Sequence, residues 1–154
     1  MTFGEKRAAA AVRIATGLIF FAEGFSKATG TFVRGGFAED AREIAARSWP
    51  VWGRFLRGFV VPNATAVGWL VALGELAVGV ALLLGLLTRW ACAGGMVLLA
   101  TFLLGQWYVP GKPWHEWITA GLTTKFALLL LLLLAVADAG RKWGLDGRRR
   151  AGAR

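Results

Sequence analysis

Negative charge is what this chain has least of. Nine Asp and Glu residues stand against 18 Lys and Arg in 154 residues, and charged residues make up only 18%. A single cysteine, Cys92, excludes an intrachain disulfide and a thiolate metal cluster, since both need further sulfur. It sits among Ala and Gly in an apolar run, where a small buried residue is expected. A single histidine, His115, leaves no second imidazole for a metal centre, so no metal site is expected. There is no Gly-rich phosphate loop, no nucleophile elbow, no haem-attachment motif and no internal repeat. No residue set here suits a flavin, haem or iron–sulfur centre, and no cofactor is expected to be bound by the chain itself.

What is abundant is apolar. The hydrophobic fraction is 56% and mean hydropathy is +0.55. A soluble domain has roughly 45–50% apolar and about 25% charged residues, so both departures point to a membrane. The net charge of +9 raises nucleic acid as a partner, but the basic residues flank apolar runs instead of covering a polar surface. Six of them fall in the final stretch RKWGLDGRRRAGAR, a pattern that suits anionic headgroups on a cytoplasmic leaflet. Lipid is therefore the expected partner, and nucleic acid is not.

A transmembrane helix needs about 20 mostly apolar residues. Four stretches meet this, at residues 8–27, 64–87, 90–107 and 122–139, followed by a basic tail at 140–154. The first has a basic start but is read as an uncleaved helix, because three more spans follow it. The second and third are joined only by LLTRW, which forces an antiparallel hairpin with Arg89 at its turn. Trp69, Trp90, Trp107 and Trp143 fall near run ends, where indoles favour the headgroup level. An even number of spans puts both termini on one side. That side carries ten Lys and Arg and the other eight, which favours cytoplasmic termini.

Between the first two spans, GFAEDAREIAARSW places Phe37, Ala41, Ile44 and Ala45 on one helical face and Asp40, Glu43 and Arg47 on another. Pro50 ends that helix. VWGRFLRGFV repeats the pattern, with Trp52, Phe55, Leu56 and Phe59 against Arg54 and Arg57. One or two short amphipathic helices, on the outer membrane surface or capping the bundle, are expected here; a plain surface loop is the alternative. In YVPGKPWHEWIT, Pro110, Gly111 and Pro113 argue against a regular helix. His115 and Glu116 are candidates for ligand contact there, and an interfacial histidine is the simpler role. Glycines 74, 79, 94 and 95 read as helix-packing positions. The fold class is thus all-α, a four-helix transmembrane bundle in a single domain over 1–154, with an amphipathic segment between spans one and two.

Ionisable residues inside the spans need explaining, since each costs about 2.5–3.5 kcal/mol at mid-membrane. Arg13, Glu23 and Lys27 fall within about 80° of arc on the first helix, so one polar face should point inward. Glu23 and Lys27 lie about 15 and 21 Å beyond Arg13 at 1.5 Å per residue. Glu75 has eleven apolar or small residues before it in its run and twelve after, which sets it near the midplane. It must be paired, protonated or facing a wet cavity. By depth, Asp138 is level with Arg13, and Lys125 with Glu23 and Lys27, while Glu75 is within reach of Arg13 or Lys27. Two readings stay open: buried pairs that fix helix register, or a polar pocket or proton route formed by Arg13, Glu23, Lys27, Glu75, Lys125 and Asp138.

The spacing R-x9-E-G-x-x-K over residues 13–27, then GELAVGVALLLGLLTR across the second span, resembles the DoxX family of small four-helix membrane proteins. AVADAGRKWGLD is similar to that family's closing small-residue, Gly and Leu-Asp pattern. The resemblance implies a helical bundle in a prokaryotic inner membrane, with Arg13, Glu23, Lys27 and Glu75 at the family's polar positions. Some members are described as subunits of thiosulfate:quinone oxidoreductase, and others accompany redox or thiol-stress partners. It implies a membrane subunit of a quinone-linked redox system, an oxidoreductase only with a redox partner subunit, with quinone as substrate. A non-enzymatic anchor or scaffold, or a small-solute or proton transporter acting as a homo-oligomer, are the alternatives. The longer first loop sets this chain apart where a thiosulfate substrate is concerned.

Overall fold

The computed structural model describes residues 3–106, 111, 113–137, 139 and 144–146. Asp138, Trp107, Trp143 and most of the basic tail lie outside the described residues. Among those described, the chain is helical throughout. Helix α1 runs Phe3–Thr29, a 3₁₀ turn covers Phe32–Arg34, and α2 covers Gly36–Arg47. Helix α3, Pro50–Phe55, continues as a π-helical turn over Leu56–Val60. Then come α4 (Ala64–Leu84), α5 (Thr88–Gln106), the short α6 (Trp114–Thr119) and α7 (Leu122–Val136).

Three helices, α1, α4 and α5, are long and apolar enough to cross a membrane. Their outward faces carry large apolar side chains, among them Leu18, Ile19, Leu70, Trp90 and Val97, each more than half exposed. Such a continuous apolar exterior is a surface for lipid, not for water. Helix α7 is equally apolar but has 15 residues, about 22 Å at 1.5 Å per residue, against about 30 Å of hydrocarbon. It stops at Val136, three residues short of the sequence estimate of 139.

Helices α1 and α4 pack antiparallel along a seam of glycines. A Cβ at Gly24 would lie 2.6 Å from the Leu76 amide nitrogen, and one at Gly79 would lie 2.5 Å from that of Phe21. Gly17 meets Leu83 in the same way at 2.9 Å. Backbones this close leave room for hydrogen alone, the small-residue packing that holds helices together in lipid. Gly79 was read as a packing position from sequence, as was Gly95, which receives Leu131 and Val78. Gly94, read the same way, faces open space. Helices α5 and α7 form the second close pair, and Phe20, Val78, Leu82, Cys92, Leu99 and Leu131 fill the centre.

The α4–α5 hairpin turns where Gly85 takes a left-handed conformation (φ 63°) and caps α4, two residues before its sequence estimate. Leu87 follows with φ 50°. The amides of Leu87 and Thr88 then donate to the two carboxylate oxygens of Asp146, at 2.8 and 2.9 Å, and the Asp146 amide donates to Gly85 O at 2.9 Å. The chain's closing Leu-Asp thus serves as the N-terminal cap of α5.

The segment after α1 folds into helices and packs on the bundle. Phe37 of α2 lies against Gly68 of α4, and Ile44 lies against Gly105 of α5. Ala41 and Ala45 are buried with Leu56 and Val60, while Asp40, Glu43 and Arg47 are exposed. Glu43 and Arg47 pair at 3.1 Å. Pro50 opens α3 at its first turn, where a missing N–H costs nothing. Pro113 stands just outside, at the N-cap of α6, correcting the expectation of an irregular loop: proline bars a helix interior but not the residue before a helix. Gly79→Leu forces α1 and α4 apart, and is expected to cost about 1–3 kcal/mol by overpacking, read as a lowered unfolding midpoint in detergent.

Candidate functional site: a polar cavity between two helix pairs

Lys27 lies near the end of α1, and Glu75 is the twelfth residue of the 21 in α4. The antiparallel glycine seam brings them together. Lys27 Nζ donates to Glu75 Oε2 at 2.7 Å and to Glu23 Oε2, one turn back on its own helix, at 2.9 Å. The three differ in depth. The Glu75 side chain is 5% exposed, that of Lys27 20% and that of Glu23 63%. One ammonium therefore links a buried carboxylate to one at the rim. Lys27 Nζ also lies 5.9 Å from the centre of the Phe32 ring, just past the end of α1.

These residues line a cavity of about 370 Å³ between the α1–α4 pair and the α5–α7 pair. Ile19, Phe20, Leu99 and Phe102 supply apolar walls, and Thr123, Thr124 and Ala127 of α7 close the far side. Gln106, the last residue of α5, stands at the upper wall and accepts a hydrogen bond from Thr124 Oγ1 at 2.9 Å. The volume falls in the range of small-ligand sites, and so does the mixture of apolar walls with a few convergent polar groups. A second cavity, about 340 Å³ and almost wholly apolar, lies between α2–α3 and the α4–α5 hairpin; Phe102 borders both.

The six polar residues singled out from sequence do not form one pocket. Glu23, Lys27 and Glu75 come together. Arg13 lies about four turns back along α1, 1% exposed, its guanidinium against Gly85 and within the field of the Asp146 carboxylate. Asp138, its partner by sequence depth, lies outside the described residues. Lys125 is on the same turn as Thr123 and Thr124, but those two line the cavity and Lys125 does not. His115, exposed, and Glu116 sit on α6 and do not line it either. Among the described residues, no group of three or more His, Cys, Asp or Glu is placed to hold a metal ion. Gln106 and Thr124 were missed in the sequence, where uncharged polar residues at helix ends carry no signal.

The model of the DoxX family matches residues 8–107, well over half of the chain. The chain belongs to the DoxX family. It is a multi-pass helical membrane protein, and the matched stretch includes Arg13, Glu23, Lys27, Glu75 and Gln106. No curated protein and no solved structure matches it.

In this DoxX chain, removing Lys27 leaves the buried Glu75 carboxylate without its ammonium. Lys27→Met is expected to cost about 3–5 kcal/mol, whereas Lys27→Met with Glu75→Leu restores most of that loss. Unfolding of both variants in the same detergent checks the difference.

Proposed function

We propose that this DoxX protein is the membrane subunit of a quinone-linked redox system, and that the cavity beside Lys27 and Glu75 takes the quinone headgroup. The observation that carries this reading is the cavity itself: a ring-sized space with aromatic and aliphatic walls, an ammonium and two carboxylates at one side. A quinone ring is apolar with a carbonyl at each end, so it needs this combination of walls and donors.

Reduction of a quinone to a quinol takes up two electrons and two protons. The electrons come from a redox partner subunit or directly from a substrate. Lys27 donates a hydrogen bond to a carbonyl oxygen and stabilises the negative charge that gathers there. Glu75, inside, and Glu23, at the rim, are spaced to pass protons inward across Lys27. The reading includes α7 as a fourth span, its short apolar helix extended by local bilayer thinning or by the residues after it. It places both termini in the cytoplasm of a prokaryotic inner membrane, on the Lys and Arg balance given above. Membrane anchoring of a redox partner without quinone binding is the reading it displaces.

Duroquinone quenching of the tryptophan fluorescence of the detergent-purified protein tests the site. Saturable quenching is expected from the wild type. Ala127→Trp, which fills the cavity from α7, should abolish it while leaving the unfolding midpoint near that of the wild type. Quenching that does not saturate, or that survives in Ala127→Trp, removes the cavity from consideration as a quinone site. A green fluorescent reporter fused at the C-terminus is expected to fluoresce in the cytoplasm; a phosphatase in its place is expected to be inactive.

A further inference from the structure

Two walls of the polar cavity carry hydrogen-bonding groups of different kinds. The α1–α4 wall holds Lys27, Glu75 and Glu23. The α5–α7 wall holds a neutral pair, Thr124 and Gln106, joined by one hydrogen bond. In that bond the threonine hydroxyl is the donor and the Gln106 side-chain oxygen is the acceptor, at 2.9 Å. Thr124 is buried, so the bond is held in a fixed place. A Cβ at Gly121, the αL residue before α7, would meet the same glutamine oxygen at 2.8 Å, so only glycine leaves it room there. With its oxygen taken by Thr124, the Gln106 amide still has the two donors of its NH₂ group to offer a ligand in the cavity it lines.

We propose that Gln106, oriented by Thr124, donates to the second acceptor of the bound ligand, and so selects rings that carry two opposed carbonyls. This rests on the quinone reading of the cavity and names the ligand class within it. Heights along the helices agree with the assignment. Gly74, the neighbour of Glu75, lies against Leu98, which puts Leu99 level with Glu75. Gln106 is two turns further up α5, about 10 Å at 1.5 Å per residue. A para-dicarbonyl ring with a hydrogen bond of about 2.8 Å at each end has a span of the same order. A ligand with one carbonyl meets Lys27 or Gln106 but not both. A carboxylate at position 106 would donate nothing; the amide donates without adding a charge to a cavity that already has three.

The test compares duroquinone with dimethylcyclohexadienone, which keeps the ring and a single carbonyl, by calorimetric titration of the full chain in detergent. The wild type is expected to bind duroquinone more tightly by about three- to tenfold, the worth of one neutral hydrogen bond. Gln106→Leu should erase that preference by weakening duroquinone to the level of the dienone, which still has Lys27 to meet. Thr124→Ser, which keeps the hydroxyl, should keep the preference; Thr124→Val should lose much of it, and it reports on the same bond should Gln106→Leu fail to fold. A preference undiminished in both Gln106→Leu and Thr124→Val overturns the assignment. Equal weakening of both ligands also overturns it, since that is the mark of a residue that only supports the fold. If the wild type binds neither ligand, the quinone reading fails first, and the two failures are told apart by that arm alone.

Discussion

A charge carried into lipid must find its partner inside the protein, and the contact between Lys27 and Glu75 is where this chain meets that requirement. Glu75 stands at the middle of α4, too short to reach either headgroup region. At 2.7 Å from Lys27 it is neutralised across two helices, and this fixes how α1 and α4 slide past each other. The glycine seam is the steric condition for that register. Gly24 and Gly79 let the backbones approach until a lysine on one helix and a glutamate on the other are within hydrogen-bond distance. Such a pair adds little net stability over apolar packing, but any slipped register would strand a buried carboxylate, so its main effect is on specificity.

That register has consequences for the rest of the bundle. The seam sets Gly24 level with Ala72–Leu76, so α1 ends at Thr29 short of the first turns of α4. Helices α2 and α3 fill the place, with Phe37 on Gly68 and Ile44 on Gly105. The segment is therefore part of the wall beside α4 and α5, which a loop on the membrane surface would not be. Further back along α1, Arg13 is buried against the α4–α5 turn, and Asp146 caps α5 there. Helix α1 is thus held by charge at two heights, Lys27 to the middle of α4 and Arg13 to the hairpin and Asp146. Between the seam and the α5–α7 pair a space remains, and the polar side chains that the register requires are the ones that line it.

Much of this was legible in the residues. The apolar runs locate α1, α4 and α5 to within a few residues, because length and hydropathy are local properties. The two faces of α2 follow from period 3.6, and Pro50 separates α2 from α3 as its fixed φ demands. Glu75 announces its need for a partner through its depth alone, and Lys27 was one of two candidates. What was hidden depends on contacts between distant segments. Gly17 and Gly24 look like ordinary glycines until α4 is laid against them. Asp146 looks like a tail residue until its carboxylate meets the amides of Leu87 and Thr88. Arg13 shares a helical face with Glu23 and Lys27 yet belongs to a separate cluster, because angle on a helical wheel says nothing about height along the partner helix. Gln106 and Thr124 have no charge to draw attention, and only their mutual hydrogen bond identifies them.

The charges in the cavity also bear on which substrates could share it. One ammonium between two carboxylates leaves a net negative cavity whenever all three are ionised. A small anion entering from water would be repelled by Glu23 at the rim before it reached Lys27, and would give up its hydration in a space with mostly apolar walls. A neutral ring with hydrogen-bond acceptors bears neither cost. In a redox system built on this chain, an anionic electron donor and the quinone would therefore occupy different places. On the quinone reading proposed above, the acids of the cavity would hold an anionic donor out of the pocket, and its electrons would reach the ring by another route.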